Sequence, residues 1–540
     1  MASPVKDGGT APRGASSSIR AAGLISSLTL LSRLLGVVRE QVFAALLGAG
    51  LHADAFQIAF RIPNLLRDLF AEGALSAAFV PTYTRTLTEQ GPAAAHRLAS
   101  RLLTFLAVAL GLVVLAGIAG AWPLVARLAP GFDVVPGKAQ LTVRLTRLMM
   151  PFLPLVSFAA VAMGMLNAEE RFGLPAFAPA TFNVVAIVWG ALLWRLGLPL
   201  EQVAFGWALG TLLAGATQFA IQIPGLRALG WRFRPEWTPA DPGLRRIGAL
   251  MAPATVGLAA VQINIFVNSY FASYEQGAVA CLSYAFRILY LPIGIFGVAV
   301  GTVATSGLAR HAAVGDMAGL RRTLRQSLSM LAFLTIPATA GLLVLGTPIV
   351  RLLYERGAFA AQGDATARTA AALVYYSLGL VAYTGVKVLA PAFYALGAPR
   401  VPLLASAAAV ATNLIVNVAF YRSFGFRSVA LGTSLGAWVN AAVLTFGLRR
   451  RLGPAEEPAA GGGFGRMILA SLGMALVAWG SLALVESRFG HRGLLAQLVT
   501  GLVPVVVGIA GYGAAAVALR IPEAAALGAA LARIRRSSAP

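Results

Sequence analysis

The chain is poor in charge. Of its 540 residues, 12% are Asp, Glu, Lys or Arg, where soluble domains carry about 25%. A single cysteine, Cys281, excludes an intrachain disulfide and a cysteine metal cluster. The four histidines, His52, His96, His311 and His491, are scattered and form no i,i+4 ligand pair. There is no Walker A sequence, no metal-ligand spacing and no nucleophile elbow. The sequence therefore predicts no cofactor, no metal and no enzyme activity. Work done by such a chain must draw on an ion gradient, a membrane potential or a substrate gradient. Acidic residues are scarce too: 20 against 43 Lys and Arg, a formal charge of +23. The basic residues are dispersed in short loops beside apolar runs, so positive-inside bias explains them better than nucleic acid does.

What is abundant is apolar. Hydrophobic residues make up 58% of the chain and the mean hydropathy is +0.77. Runs near or above the ~20 residues needed to cross a bilayer recur throughout. The reading is an all-α polytopic membrane protein with fourteen spans. They are placed at 22–48, 54–84, 98–124, 142–166, 177–197, 202–223, 247–272, 278–309, 325–348, 366–394, 400–421, 427–448, 466–487 and 494–519. No cleavable signal peptide is expected, because the first apolar run grows into a full span containing Arg33 and Arg39. Residues 1–20 read as a disordered tail. Residues 224–246 form a basic loop, 449–465 a linker with a charge run and then glycines, and 520–540 a basic tail. Loops on one side are richer in arginine, which puts both termini in the cytoplasm; Arg127, Lys138, Arg488 and Arg492 fall on the wrong side.

The sequence also echoes itself. Residues 59–62 and 285–288 both read AFRI, each opening a long helix, and Pro175 and Pro402 match at nearly the same offset. This suggests two six-helix lobes, 21–223 and 247–448, related by a pseudo-two-fold, with 466–519 as an addition. Transporters are often built this way, with the substrate held at the interface of the repeats.

Against that apolar background one stretch stands out. Between Ser32 and Glu72 lie Arg33, Arg39, Glu40, Asp54, Arg61, Arg67, Asp68 and Glu72. A charge at the bilayer centre costs at least ~2.5–3.5 kcal/mol and usually faces a cavity. Arg61, Asn64, Asp68 and Glu72 share one helix face. They form either a self-neutralising stripe, Arg61 with Asp68 for instance, or an anion site whose carboxylates orient arginines. Arg287 has no carboxylate within a turn of its own helix, and Lys387 in the tenth span reads equally as structural or functional. Gln262, Asn264 and Asn268 in the seventh span fit interhelical hydrogen bonding, with an ion site as the alternative. Guanidinium groups pair bidentately with phosphate, so the set points to a polyanionic headgroup such as a diphosphate, with the last two spans as a groove for its lipid tail.

The segments SRLLGVVRE, ADAF, FRIPNLLRDLFAEGALSAAFVP, LNAEERFGLPAFAP and VKVLAPAFYALG resemble the MurJ/MviN family of bacterial lipid II flippases. The resemblance implies the multidrug/oligosaccharidyl-lipid/polysaccharide exporter fold in a multi-pass protein of the bacterial inner membrane. It implies movement of undecaprenyl-diphosphate-linked peptidoglycan precursor from the cytoplasmic to the periplasmic leaflet by alternating access. Membrane lipid surrounds the chain, cell-wall synthesis proteins are candidate partners, and a monomer is expected. The family's functional arginines fall on Arg33, Arg39, Arg67 and Arg287, and Ser32, Asp54, Asn64 and Glu72 match other motif positions. Arg61, Asp68 and Lys387 complete the candidate set from the residues themselves. Two positions depart from the family: Tyr290 stands where a polar residue is common, and the seventh span holds amides where members with a sodium site use a carboxylate. The competing readings are an exporter of another polyprenyl-diphosphate sugar, a drug-efflux relative, a membrane enzyme acting on lipid diphosphates, and a structural scaffold. Arginines argue against cationic drugs, the lack of a carboxylate or histidine cluster against the enzyme, and buried arginines against the scaffold.

Overall fold

The computed structural model describes residues 15–68, 74–453, 461–491 and 493–537, and among them there is no β-strand. The apolar composition is resolved into helices because a backbone in hydrocarbon must satisfy its own hydrogen bonds. In chain order they are α1 (Ala15–Leu47), α2 (Leu51–Arg67), α3 (Ala74–Gln90), α4 (Pro92–Ala119), α5 (Ala121–Leu128), α6 (Lys138–Met149), α7 (Phe152–Ala168), α8 (Gly173–Leu196), α9 (Leu200–Ala220), α10 (Ile223–Ala228), α11 (Pro242–Ala272) and α12 (Ala278–Pro292). A π-helical turn, Ile293–Gly297, joins α12 to α13 (Val298–Ala313). Then come α14 (Met317–Tyr354), α15 (Gly357–Ala361), α16 (Ala365–Ser377), α17 (Leu380–Ala395), α18 (Arg400–Phe424), α19 (Arg427–Leu452), α20 (Gly461–Phe489), α21 (Leu494–Ala518) and α22 (Pro522–Ser537).

Ten helical segments among the described residues are long and apolar enough to cross a membrane, eleven if the bent pair α16–α17 counts as one span. The sequence reading expected fourteen. The difference lies in α1, α2 with α3, and α11, which are helical but outside that set. For α2 the reason is plain: it has 17 residues and carries Asp54, Arg61 and Arg67. Helix boundaries also shift from the expected ones. Helix α1 starts at Ala15, inside the expected tail, and α20 takes in the glycines of the expected linker. Residues 1–14, Glu72, 454–460, Arg492 and 538–540 lie outside the described residues.

Two compact units emerge. Unit 1 comprises 1–43, 62–119 and 147–255; unit 2 comprises 44–61, 120–146 and 256–540. In unit 1 a core of Phe79, Tyr83, Leu98, Met165 and Leu166 joins α3, α4 and α7. In unit 2, Leu308, Leu331, Val388, Phe393 and Leu444 join α13, α14, α17 and α19. Helices α20 and α21 pack on each other and on α14 in that same unit. Phe333, Met467, Met474 and Tyr512 fill that contact, and the Tyr512 hydroxyl donates to the Phe333 carbonyl at 2.8 Å.

Candidate anion site and its supports

Unit 1 carries Ser32, Arg33, Arg39, Asn64, Arg67 and Asp68. Helix α1 is held at two points by adjacent residues of α8. The Asn183 amide donates to the Ser32 carbonyl at 3.0 Å, and the Phe182 ring lies under the Arg39 guanidinium, 5.4 Å from its centroid. Arg39 also reaches Glu40 at 3.7 Å. Arg33 is exposed and lines a pocket of about 520 Å³ with Ser32, Asn167, Met163, Phe172 and Pro175. A guanidinium, a hydroxyl and an amide thus face apolar side chains, which suits an amphiphile where its charged head meets its tail. On α2, Arg67 pairs with its neighbour Asp68, Nη2 to Oδ1 at 2.8 Å. Asn64 is half-buried on the same helix.

Unit 2 carries Asp54, Arg61, Arg287 and Lys387. The stripe pairing of Arg61 with Asp68 does not form. Asp68 is on Arg67, and Arg61 donates to the Ser269 hydroxyl of α11 at 2.5 Å. Ser269 in turn donates to the Ile265 carbonyl. Arg61 lies within electrostatic range of the Tyr376 hydroxyl and of Arg287. Arg287 is exposed on α12 five residues before the proline that ends it, and the π turn follows at once. Such turns are rare and concentrate at functional sites. Lys387 is exposed on α17, and its backbone carbonyl lies so close to Gly301 of α13 that an added Cβ would sit 3.1 Å from it.

Asp54 is fully buried and its carboxylate is saturated. Oδ2 accepts from the Lys138 ammonium at 2.7 Å and from the Gly277 N–H at 2.6 Å, and Oδ1 accepts from the Ala280 N–H at 2.9 Å. Those N–H groups open α12, so the carboxylate both pairs with a cation and meets the positive end of a helix. Gly277 adopts φ +78°, and a Cβ there would strike the Ala49 carbonyl. Only glycine serves at that step. Lys138, equally buried, also sits over the Phe132 ring, 4.0 Å from its centroid. Around this clamp the Tyr284 hydroxyl donates to the Gly48 carbonyl at 2.7 Å, and the Ser273 hydroxyl accepts from Gly131 at 3.0 Å.

The amides of α11 form part of a second buried network. Asn413 Nδ2 donates to Asn264 Oδ1 at 2.7 Å and to Asn268 Oδ1 at 2.8 Å. Asn417 donates to Asn413 at 2.9 Å, and Ser428 donates to Asn417 at 3.1 Å. Asn268 reaches Thr433 at 3.2 Å. Helices α11, α18 and α19 are thereby stitched together without a carboxylate, and Gln262 is buried beside them on α11.

Sequence reasoning missed five of these residues. Lys138 had signalled itself as an exception to the loop bias. Asn183 is an isolated amide in an apolar span, and Asn413 and Asn417 stand one helical turn apart in another. Ser269 carried no signal.

A family model described as lipid II flippase MurJ matches residues 43–503 of this chain. A probable lipid II flippase MurJ of Vibrio cholerae is 36% identical over 433 residues, 79% of this chain and 82% of that protein. The lipid II flippase MurJ of Burkholderia cenocepacia is 34% identical over 483 residues, 88% of this chain and 92% of its own. Among solved structures, lipid II flippase MurJ in an inward closed conformation superposes with a TM-score of 0.74 at 25% identity, covering 92% of this chain and 99% of that one. An inward-facing multidrug transporter of the MATE family, in the MOP superfamily, gives 0.64 at 16% identity over 80% of this chain and 98% of its own, a likeness of fold.

Proposed function

Since this chain belongs to the MurJ family of lipid II flippases, we propose that it moves the polyprenyl-diphosphate-linked peptidoglycan precursor across the bacterial inner membrane, from the cytoplasmic to the periplasmic leaflet, by alternating access. The observation that carries the chemistry is the set of guanidinium groups on helices of a largely apolar chain. Arg33, Arg39 and Arg67 project from α1 and α2, and Arg287 from α12. Each presents a rigid fork suited to a diphosphate, whereas an ammonium offers only a point charge. Ser32 and Asn167 beside Arg33 add neutral donors in a pocket with apolar walls, which suits the junction of headgroup and prenyl chain. Asn64 and Glu72 stay with the binding set, and Arg61 joins it as the arginine of the first AFRI segment. Asp68 orients Arg67.

Asp54 takes a different role in this reading. With its oxygens already occupied by Lys138 and two N–H groups, it clamps the start of α12 and holds one conformational state. Lys387 serves helix packing through its backbone against Gly301. The amides of α11, α18 and α19 serve as interhelical hydrogen bonds. Both termini are assigned to the cytoplasm from the arginine bias of the loops, cell-wall synthesis proteins are the natural partners, and a monomer suffices. The deciding experiment is depletion: cells lacking this chain should accumulate the lipid precursor in the inner leaflet, and re-expression should restore its translocation. Unchanged leaflet distribution on depletion would overturn the assignment.

A further inference from the structure

The connector between α10 and α11 is a built surface and not a slack loop. Gly230 closes α10 with φ +80°, and the Trp231 N–H returns to the Leu226 carbonyl at 3.1 Å. Residues 231–238 then run without helix against the third and fourth turns of α4, where Arg101, Thr104 and Phe105 lie. Arg101 of α4 holds them with two carboxylates: Nε donates to Glu236 at 2.9 Å and Nη1 to Asp241 at 2.6 Å. The other oxygen of Asp241 accepts from the Gly243 and Leu244 N–H groups and so caps α11. The Glu236 N–H donates to Thr104 at 3.2 Å. All these residues belong to unit 1.

The sequence of this strap is Trp-Arg-Phe-Arg-Pro-Glu-Trp. Trp231 is buried, and its ring lies 6.2 Å from Phe233. Trp237 stacks on Phe105 of α4 at 6.2 Å and 16°. Yet Phe233 and Trp237 are 49% and 56% exposed. Phe105 is in the first turn of the apolar run that follows Arg101, so the stacked pair marks where that run leaves the polar zone. Arg232 and Arg234 are exposed, and among the described residues neither pairs with a carboxylate. Arg227, Arg245 and Arg246 are exposed on the flanking helices. Aromatic rings at the hydrocarbon boundary and unpaired cations just outside it form the pattern that recognises an anionic membrane surface.

We propose that this strap is a docking site for the headgroup of an anionic glycerophospholipid. Arg232 and Arg234 engage the phosphate, while Phe233 and Trp237 lie at the level of the glycerol and upper acyl chains. The Arg101 clamp holds the strap against α4, so binding orders little that is not already ordered. The site shares no residue with the proposed substrate arginines and does not depend on what the chain transports.

The test uses the full-length chain in nanodiscs of phosphatidylcholine with and without phosphatidylglycerol brominated high on its acyl chains. Trp237 emission is isolated as the difference between the parent and Trp237→Phe. In the parent, quenching should exceed that expected from the mole fraction of brominated lipid, and the excess should fade as salt rises. In Arg232→Gln/Arg234→Gln, both exposed positions, the excess should vanish, with apparent affinity falling about fivefold per arginine and roughly 25–30-fold for the pair. Undiminished excess quenching in the double variant, or equal quenching by brominated phosphatidylcholine at the same mole fraction, would overturn the proposal.

Discussion

Removing the charge from Asp54 should cost more than removing the whole ion pair. In Asp54→Asn the Lys138 ammonium stays buried, with the Phe132 ring at 4.0 Å as its remaining cation partner. A buried charge stranded in this way costs about 3–5 kcal/mol. The asparagine also offers one acceptor oxygen to a site that served three donors, Lys138, Gly277 and Ala280. At least one N–H is then left facing an amide N–H₂, which adds about 1–3 kcal/mol. The double variant Asp54→Asn/Lys138→Met keeps the second penalty and removes the first. It should therefore be more stable than the single variant, by about 3 kcal/mol or more. Unfolding free energies from SDS titration in mixed micelles would measure the cycle, with Lys138→Met alone as the fourth corner. If the double variant were less stable than Asp54→Asn, the pair would not be the sealed unit that its geometry indicates. A double variant restored in stability but locked out of transport would further separate the clamp's conformational role from its contribution to folding.

Three other outcomes follow from the same geometry. Arg39→Ala, Arg67→Ala and Arg287→Ala should each abolish complementation of a depletion strain at normal membrane levels, with lysine restoring only part of the function; full activity of Arg287→Ala would remove that residue from the site. Exchanging sodium for potassium should leave thermal stability unchanged, because the Asn413 amino group donates to both Asn264 and Asn268 where a cation would need their oxygens; a sodium-specific rise in midpoint would contradict this. Reporter fusions after Arg451 and at the C-terminus should both read cytoplasmic, and a periplasmic signal at the C-terminus would break the proposed topology.

The helical class was legible because composition leaves a membrane chain few choices: no water reaches the backbone, so it satisfies itself in helices. The motif residues were legible as charges out of place. Their partners were not. Nothing in the spacing of Arg61 distinguishes Asp68, one turn beyond its reach along the helix, from Ser269, which is 208 positions away and 2.5 Å distant. Local periodicity ranks neighbours on one helix, whereas a buried guanidinium chooses among all helices packed around it. By length and apolarity, ten or eleven of the fourteen expected spans stand out among the described residues. Helix α2 is the clear case: it is short and its apolar pattern is interrupted by Asp54, Arg61 and Arg67.

Lys138 shows how a misfit in sequence becomes an explanation in structure. A lysine beyond the third apolar run counts against the loop bias if it is assumed to face water. It does not: it is sealed against Asp54 and Phe132. A compact ammonium suits that position, because it needs one carboxylate and a ring face, and a planar fork would leave donors unsatisfied in a space so closed. The arginines have the opposite placement. Arg33 and Arg287 are exposed, and Arg39 and Arg67 are half-buried, where a fork can reach a large dianion. The division of cations between the two kinds of position is thus chemical. Exchanging them, Lys138→Arg in the clamp or Arg67→Lys on α2, should damage stability in the first case and transport in the second.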